Sequence, residues 1–287
     1  MSIVITGATG QLGLHVLQAL LQRRVPAEEI VATGRSLDKL ADFAAQGVQV
    51  KTMDYDDPAA VTAALAGATR VLLIAGSEVG KDRPAQHRTV IEAAKAEGVE
   101  LLAYTSAANV DISKTILARD HKSTEEILAD AGLPYALLRN GYYFENWTDQ
   151  IPGILAQGVL VGSAGTGRVN AATRADLAEA AAAVLLADDQ AGKVYELGGD
   201  EAFTVAELAA QISAAAGKTI AYKDLPAPEY VAMLAGAGVP ETFAEILADS
   251  DLGIARGELL VDGDDLRTLL GRPTTTLAQA VRSAIPG

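Results

Sequence analysis

Short apolar segments alternate with amphipathic segments along the first half of the chain. The first apolar run is 3–5, and leucine and valine then recur at three- and four-residue spacing from 12 to 21, which is typical of an amphipathic helix. Further β-rich segments lie at 29–35, 48–54, 69–76, 99–106 and 133–140, with helical segments between them near 37–46, 58–66, 83–97 and 120–131. Several of the helical segments end at glycine, as helix C-caps do. This alternation predicts a doubly wound α/β fold of the Rossmann type, with a parallel sheet between two layers of helices.

After about residue 141 the rhythm changes. The segment 158–172 predicts a glycine-rich hairpin, and helices are expected after Thr173 and Thr204, around 228–237 and 241–248, and in 274–285. A further strand near 193–198 is a candidate to return to the main sheet. We therefore expect a dinucleotide-binding domain over 1–140 and a smaller, mostly helical substrate-binding region over 141–287.

Composition narrows the function classes. The 287 residues include no cysteine, which excludes disulfides, a thiol nucleophile and a thiolate metal site, and we expect no metal. A formal net charge of −14 argues against a nucleic-acid surface, which needs a basic face. The first strand leaves no room for a secretory signal, and no apolar run is long enough to cross a bilayer. A cytoplasmic protein is the expectation, with a homo-oligomer left open.

The stretch TGATGQLG (6–13) has glycines at 7 and 10 in the turn after the first strand and a third at 13, where the first helix begins. Glycine accepts unusual backbone angles and lets the main chain touch a ligand. The helix that follows directs its free N–H groups and the positive end of its dipole at the turn, which suits a phosphate. In this context the turn predicts a dinucleotide site.

The end of the second strand indicates which dinucleotide is bound. A site for NAD places a carboxylate there to bind the ribose hydroxyls, whereas this chain has Gly34 and Arg35. Arginine suits the 2′-phosphate of NADPH, and Ser36 and Lys39 could add a hydroxyl and a second positive charge. The alternative is that Arg35 is a solvated residue at a helix start. NADPH is favoured, and use of NADH stays open.

Longer stretches carry a family resemblance. TGATGQLG, VATGR, MDYDD, LLIAGSEVG, HRTVIEAAKAEGVELLAYTSA and LLRNGYYFEN, with TRADLAEAAAAVL, GKVYELGGD, LADSDLG and GRPTTTLAQAV further on, resemble the NmrA-like group of atypical short-chain dehydrogenases/reductases. The resemblance runs nearly end to end. It implies NADPH-dependent, flavin-free reduction of quinones to hydroquinones. NmrA-like proteins also include non-catalytic redox sensors that bind dinucleotides and act on a protein partner, so that alternative remains.

The resemblance also implies site residues. Those implied for the cofactor are Gly7, Thr9, Gly10, Gln11, Leu12, Arg35, Asp54, Tyr55, Ala75, Gly76, Ser77 and Thr105. Those implied for the substrate are Ser106, Asn140, Tyr142, Tyr143 and Phe144, in a loop that also contains Gly141. The aromatic members of this loop, with Trp147, are candidates either for core packing or for stacking on a flat ring.

One departure from the wider class bears on mechanism. Most short-chain reductases carry Tyr-x-x-x-Lys as a proton donor, and this chain has RDHKSTEEIL at the expected helix start. A quinone tolerates that loss, because its reduced anion is a weakly basic phenolate that can collect a proton from water. His121 is the candidate catalytic residue, as a proton or hydrogen-bond donor. The alternatives for His121 are helix capping and pairing with Glu125 one turn later.

Overall fold

A computed structural model describes residues 1–76, 78 and 80–285. The strands are β1 (Ile3–Ile5), β2 (Ile30–Gly34), β3 (Gln49–Thr52), β4 (Arg70–Leu73), β5 (Leu101–Ala107), β6 (Tyr135–Asn140), β7 (Val159–Gly162), β8 (Arg168–Val169), β9 (Val194–Leu197), β10 (Phe203–Thr204) and β11 (Ala221–Asp224). The helices are α1 (Gln11–Gln22), α2 (Ala41–Ala45), α3 (Pro58–Leu65), α4 (Arg83–Glu97), α5 (Ile116–Ala131), α6 (Glu145–Thr148), α7 (Ile151–Gln157), α8 (Arg174–Leu186), α9 (Val205–Ala216), α10 (Ala227–Gly236), α11 (Glu241–Ala255), α12 (Asp265–Leu270) and α13 (Leu277–Ala284), with short 3-10 turns at Ala27–Glu29 and Leu37–Leu40.

Seven strands form one sheet, in the order β3-β2-β1-β4-β5-β6-β9. Every neighbouring pair is parallel, and β1 pairs with β2 on one side and β4 on the other. The chain moves outward from β1 to β3, then crosses to β4 and continues in the other direction. Such a reversal of strand order opens a crevice at the carboxyl ends of β1 and β4. The predicted doubly wound fold is confirmed.

Helices cover both faces of the sheet. One apolar cluster packs the side chains of α1 and α8 against one face, and a second packs those of α3 and α4 against the other. All three residues of β1 are buried, because a central parallel strand is covered on both sides. This double layer fixes the carboxyl ends of the strands as a rigid edge.

Several helix ends follow from the local sequence, two of them, after Thr173 and Thr204, as predicted. The Asp57 carboxylate accepts from the N–H groups of Ala59 and Ala60, at 3.0 and 3.1 Å, and starts α3. Thr173 caps α8, and Thr204 forms a capping box with Glu207 at the start of α9. In contrast, α5 begins at Ile116, earlier than the expected 120, and the segment expected to be helical near 37–46 is a 3-10 turn followed by α2.

The C-terminal half differs from expectation in its small strands. The predicted hairpin over 158–172 is wrong: β7 pairs in parallel with β11, and β8 pairs antiparallel with β10. Gly162 serves packing, because a Cβ there would lie 2.7 Å from a carboxylate oxygen of Asp251 in α11. The segment ADSDLG lies inside α11.

The strand expected near 193–198 does return to the main sheet, as β9 beside β6. The two predicted regions therefore share one sheet, and the division at residue 140 remains a prediction about their roles. Over the described residues, no helix has both the length and the apolar character that a bilayer crossing requires.

Candidate functional site

A cavity of about 900 Å³ lies at the carboxyl edge of the sheet. Of the residues implied for the cofactor, it is lined by Gly7, Thr9, Gly10, Gln11, Leu12, Arg35, Asp54, Tyr55, Ala75, Gly76 and Thr105. It is also lined by Ser106, Asn140, Tyr142, Tyr143 and His121 from the substrate and catalytic candidates. Ser77 lies outside the described residues. One cavity therefore joins the residues predicted for a dinucleotide to those predicted for its partner in the reaction.

The glycine turn forms one end of the cavity. Gly7 has a left-handed backbone (φ +59°), and its carbonyl accepts from the N–H of Gly10 at 3.0 Å. A Cβ on Gly13 would lie 2.6 Å from the carbonyl oxygen of Gly7, so the first turn of α1 packs directly on the loop. Among the residues that the structure describes, no side chain caps α1, which leaves its first N–H groups facing the cavity. This arrangement fits the pyrophosphate of a dinucleotide.

The end of β2 forms the basic side of the cavity. A Cβ on Gly34 would lie 2.5 Å from the Thr9 side chain, so the close approach of the two loops requires glycine there. Arg35 follows, with Ser36 and Lys39 also on the cavity wall. The Arg35 guanidinium lies 2.5 Å from Glu78, and this hydrogen bond raises the pKa of Arg35, with burial opposing and nearby carboxylates adding to the increase. The position offers a permanent positive charge.

The segment after β4, residues 74–76, forms the middle of the cavity wall. In chain order its three N–H groups donate to Thr6 Oγ1 at 3.0 Å, Thr105 Oγ1 at 2.9 Å and His87 Nε2 at 3.0 Å. The Tyr55 hydroxyl donates to the carbonyl of Ile74 at 2.7 Å. Three protein side chains thus satisfy every N–H of the 74–76 segment, which fixes its backbone against the cavity.

The bonding of His87 sets its tautomer. Because its Nε2 accepts the N–H of Gly76, the ring proton is on Nδ1, which lies 2.8 Å from Thr124 Oγ1. The Thr124 hydroxyl in turn donates to the carbonyl of Asp120 at 2.9 Å. Burial lowers the pKa of His87 to about 3, and the charge of Arg83 adds to the decrease. His87 is therefore a neutral part of the wall at physiological pH.

His121 faces the cavity from α5. Its Nδ1 lies 2.8 Å from the hydroxyl of Tyr104, a fully buried residue of β5. Burial lowers the pKa of His121 to about 3, and the proximity of His87 and Arg83 adds to the decrease. Burial also raises the pKa of Tyr104. Both groups are neutral, and Nε2 of His121 takes no part in their shared hydrogen bond.

Both structural alternatives for His121 are wrong. Because α5 begins at Ile116, His121 lies in the second turn and does not cap the helix. Glu125 instead forms a bidentate ion pair with Arg139, at 3.0 and 2.6 Å, and accepts from the Ser106 hydroxyl at 2.5 Å. Ser106 therefore holds its proton toward Glu125 and presents lone pairs elsewhere.

The aromatic loop divides between cavity and core. Tyr142 and Tyr143 line the cavity, with Tyr142 packed on Trp147 at 4.6 Å between ring centroids. Phe144 is 2% exposed and stacks on Phe203 at 5.6 Å. The expectation that Phe144 contacts substrate is corrected, because its ring packs in the core beneath the small strands.

Sequence reasoning missed part of the lining. The missed residues are Leu14, Met53, Ile74, Glu78, Arg83, Gln86, Ala107, Ala108, Thr115, Leu117, Asn146, Arg174, Ser250 and Leu259. Glu78, Asn146 and Arg174 lie in stretches that carried the resemblance. Thr115 and Leu117 reach the cavity from the start of α5, which carries no motif of its own. Ser250 lies in LADSDLG, another stretch that carried the resemblance.

Comparison with known proteins agrees with this geometry. The chain is 49% identical over 279 residues to quinone oxidoreductase 2 of Escherichia coli, covering 97% of each chain. The chain is also similar to the crystal structure of an NADPH-dependent quinone oxidoreductase from Escherichia coli complexed with NADPH. The TM-score is 0.94 at 48% identity, and the match covers 98% of this chain and 99% of that one. The triphenylmethane reductase of Citrobacter sp. complexed with NADP(H) is similar with a TM-score of 0.93, 38% identity and coverage of 99% and 100%.

These relatives confirm the resemblance that the sequence motifs carried. A family described as NAD(P)H-binding also matches residues 7–188, which extend from the glycine turn through α8. The chain therefore belongs to the NAD(P)H-binding family.

Proposed function

We propose that this protein reduces quinones to hydroquinones with NADPH, by direct hydride transfer and without a flavin. The observation that carries the proposal is the single cavity that joins the glycine turn and Arg35 to His121 and the tyrosines of the loop after β6. Quinone reduction by the Escherichia coli relative supports the substrate class. When bound, NADPH supplies a hydride, and a quinone ring in the same cavity can receive it without an intervening carrier.

The cofactor half of the cavity orients the dinucleotide. The N-terminus of α1 and the glycine turn bind the pyrophosphate, and Arg35 binds the 2′-phosphate, which favours NADPH over NADH. Asp54 and Tyr55 lie beside the adenine, and the 74–76 segment with Thr105 borders the ribose and nicotinamide. The adenine, ribose and nicotinamide assignments are those that the family resemblance implies, and the presence of all these residues in one cavity lining supports them.

The substrate half stabilises a product that needs little acid catalysis. Two electrons and one proton enter the quinone as hydride, which leaves a hydroquinone monoanion that takes its second proton from water. Neutral His121 would contribute a hydrogen bond: in the tautomer in which Nδ1 accepts from the Tyr104 hydroxyl, Nε2 carries the ring proton and can donate it to the new phenolate oxygen. Tyr142, held against Trp147, offers a flat apolar face to the ring.

The test is a matrix of NADPH and NADH against several benzoquinones and naphthoquinones, with purified protein whose flavin content is measured by absorbance. Oxidation of one NADPH per quinone reduced, in flavin-free protein, supports the proposal. Binding of NADPH without turnover of any quinone contradicts it and favours the alternative of a redox sensor. Turnover that requires added flavin contradicts the direct transfer.

A further inference from the structure

The 74–76 segment lies where a bound dinucleotide must pass. It follows β4, next to β1, at the point where the strand order reverses. A Cβ on Gly76 would lie 3.3 Å from the Gln86 side chain, so the backbone here runs between α4 and the cavity with little free space. A small change in this backbone therefore changes the shape of the cofactor site.

We propose that His87 is a positioning residue for NADPH, which acts by holding the backbone N–H of Gly76 on its unprotonated Nε2. This inference rests on the proposed function, because it concerns the placement of that cofactor. His87 is 1% exposed and has no contact with the cavity of its own, so its effect passes through the segment that it holds. It is distinct from the residues that would touch the cofactor.

The surroundings of His87 hold the ring in one orientation. The ring of Tyr55 meets it edge-on at 6.2 Å, and the ring of Tyr104 at 5.4 Å. Thr124 accepts the Nδ1 proton, so Nε2 is left with its lone pair toward Gly76. A neutral imidazole has one N–H donor and one acceptor nitrogen, and both have partners here. Nδ1 donates to Thr124, which fixes the tautomer, and Nε2 accepts from Gly76, which holds the backbone of the cavity wall.

The two hydrogen bonds of His87 can be removed separately. In His87→Gln the side-chain oxygen reaches about as far as Nε2 and can still accept from Gly76, whereas the bond to Thr124 is lost. In His87→Asn the shorter amide can still donate to Thr124 but leaves the Gly76 N–H without its acceptor. The two variants are matched in polarity and differ in which nitrogen they replace.

The experiment measures Kd for NADPH by fluorescence titration and Tm without cofactor, for the full chain and both variants. We expect His87→Asn to weaken NADPH binding at least tenfold, with His87→Gln within threefold of the unaltered protein and the two Tm values similar. Equal weakening in both variants, or none in His87→Asn, would overturn the proposal. Because no quinone is present, failure of quinone turnover leaves this result unaffected.

If His87→Asn does not fold, a second pair of variants carries the test. Thr6→Val removes the acceptor for the first N–H of the same segment, together with the contact of Thr6 Oγ1 with the Tyr55 hydroxyl that bonds to the same segment, and Thr33→Val is the same substitution at a second buried threonine. Thr33 is equally buried and donates to the carbonyl of Ile5, away from the segment. We expect weaker NADPH binding only in Thr6→Val. Equal Kd values in the two threonine variants would show that the held backbone does not govern cofactor binding.

Discussion

Replacement of Arg35 by alanine tests the cofactor assignment most directly. Arg35 follows Gly34 at the end of β2 and lies on the cavity wall, paired with Glu78. NADPH and NADH differ only in the 2′-phosphate. A residue that binds this phosphate must therefore affect one cofactor and spare the other.

The magnitude follows from the environment of the pair. The Arg35 and Glu78 side chains are 56% and 39% exposed, and an ion pair at that exposure contributes about 0–1 kcal/mol. Charge-assisted contacts between arginine and a phosphate contribute about 1.5–3 kcal/mol. After the pair with Glu78 is broken, the net gain for NADPH is about 1–2 kcal/mol, which corresponds to about 5–30-fold in Kd.

The assay compares Kd for NADPH and NADH in Arg35→Ala and in Glu78→Gln. Arg35→Ala should weaken NADPH by the stated factor and leave NADH nearly unchanged. Glu78→Gln removes the competing carboxylate and should tighten NADPH by about 2–5-fold, since the exposed pair contributes at most about 1 kcal/mol. Equal losses for both cofactors in Arg35→Ala would refute the 2′-phosphate role.

Further predictions concern His121, His87 and Phe144. His121→Asn should lower kcat for a quinone by less than about a hundredfold. The shape of the pH–rate profile between pH 5.5 and 8 should not change, because His121 is neutral throughout this range. A change of rate near pH 6.5 that is present in the unaltered protein and absent in the variant would contradict this. The pKa of His87 is about 3 in the folded protein and ordinarily 6.5, so the unfolded chain binds more protons between these values and stability falls as the pH drops below 6.5. Between pH 7 and pH 4.5, the free energy of unfolding measured with urea should fall by about 2.5 kcal/mol more in the unaltered protein than in His87→Gln. An equal fall in the two proteins would contradict a buried, neutral His87. Phe144→Ala should lower the free energy of unfolding by about 3–5 kcal/mol and leave KM for quinone nearly unchanged, whereas a large effect on KM alone would return Phe144 to the substrate site.

The parts of the site that the sequence predicts are those with local causes. The run 3–5, the glycine turn and α1 are adjacent in the chain, and their spacing alone places free N–H groups at the end of β1. The end of β2 was equally informative, because a position beside the glycine turn in a parallel sheet must face the same ligand. Asp57 and Thr173 mark helix starts for the same reason, since a cap bonds to N–H groups two or three residues away.

The parts that the sequence does not predict depend on distant partners. Glycines between 158 and 172 suggest a turn. At position 162, however, glycine is needed because the carboxylate of Asp251 in α11, about ninety residues later in the chain, occupies the space of a Cβ. Phe144 and Tyr143 are adjacent and chemically similar, and only the position of Phe203 decides which ring enters the core. His121 pairs with Tyr104 of β5 and not with Glu125 of its own helix, because Arg139 of β6 engages that carboxylate. No spacing rule within one helix can anticipate such a competition.

His87 and His121 lie on either side of one buried tyrosine, and both are neutral. Tyr104 lies between them, with ring centroids 5.4 Å from His87 and 5.9 Å from His121. Protonation of either ring would place a buried positive charge close to Arg83, so both remain neutral and their hydrogen-bond directions do not change across physiological pH. In the proposed function, His87 would hold the wall beside the cofactor and His121 would face the second ring. Hydride transfer requires two rings at a constant distance more than it requires a strong acid, and a neutral, buried wall supplies that condition.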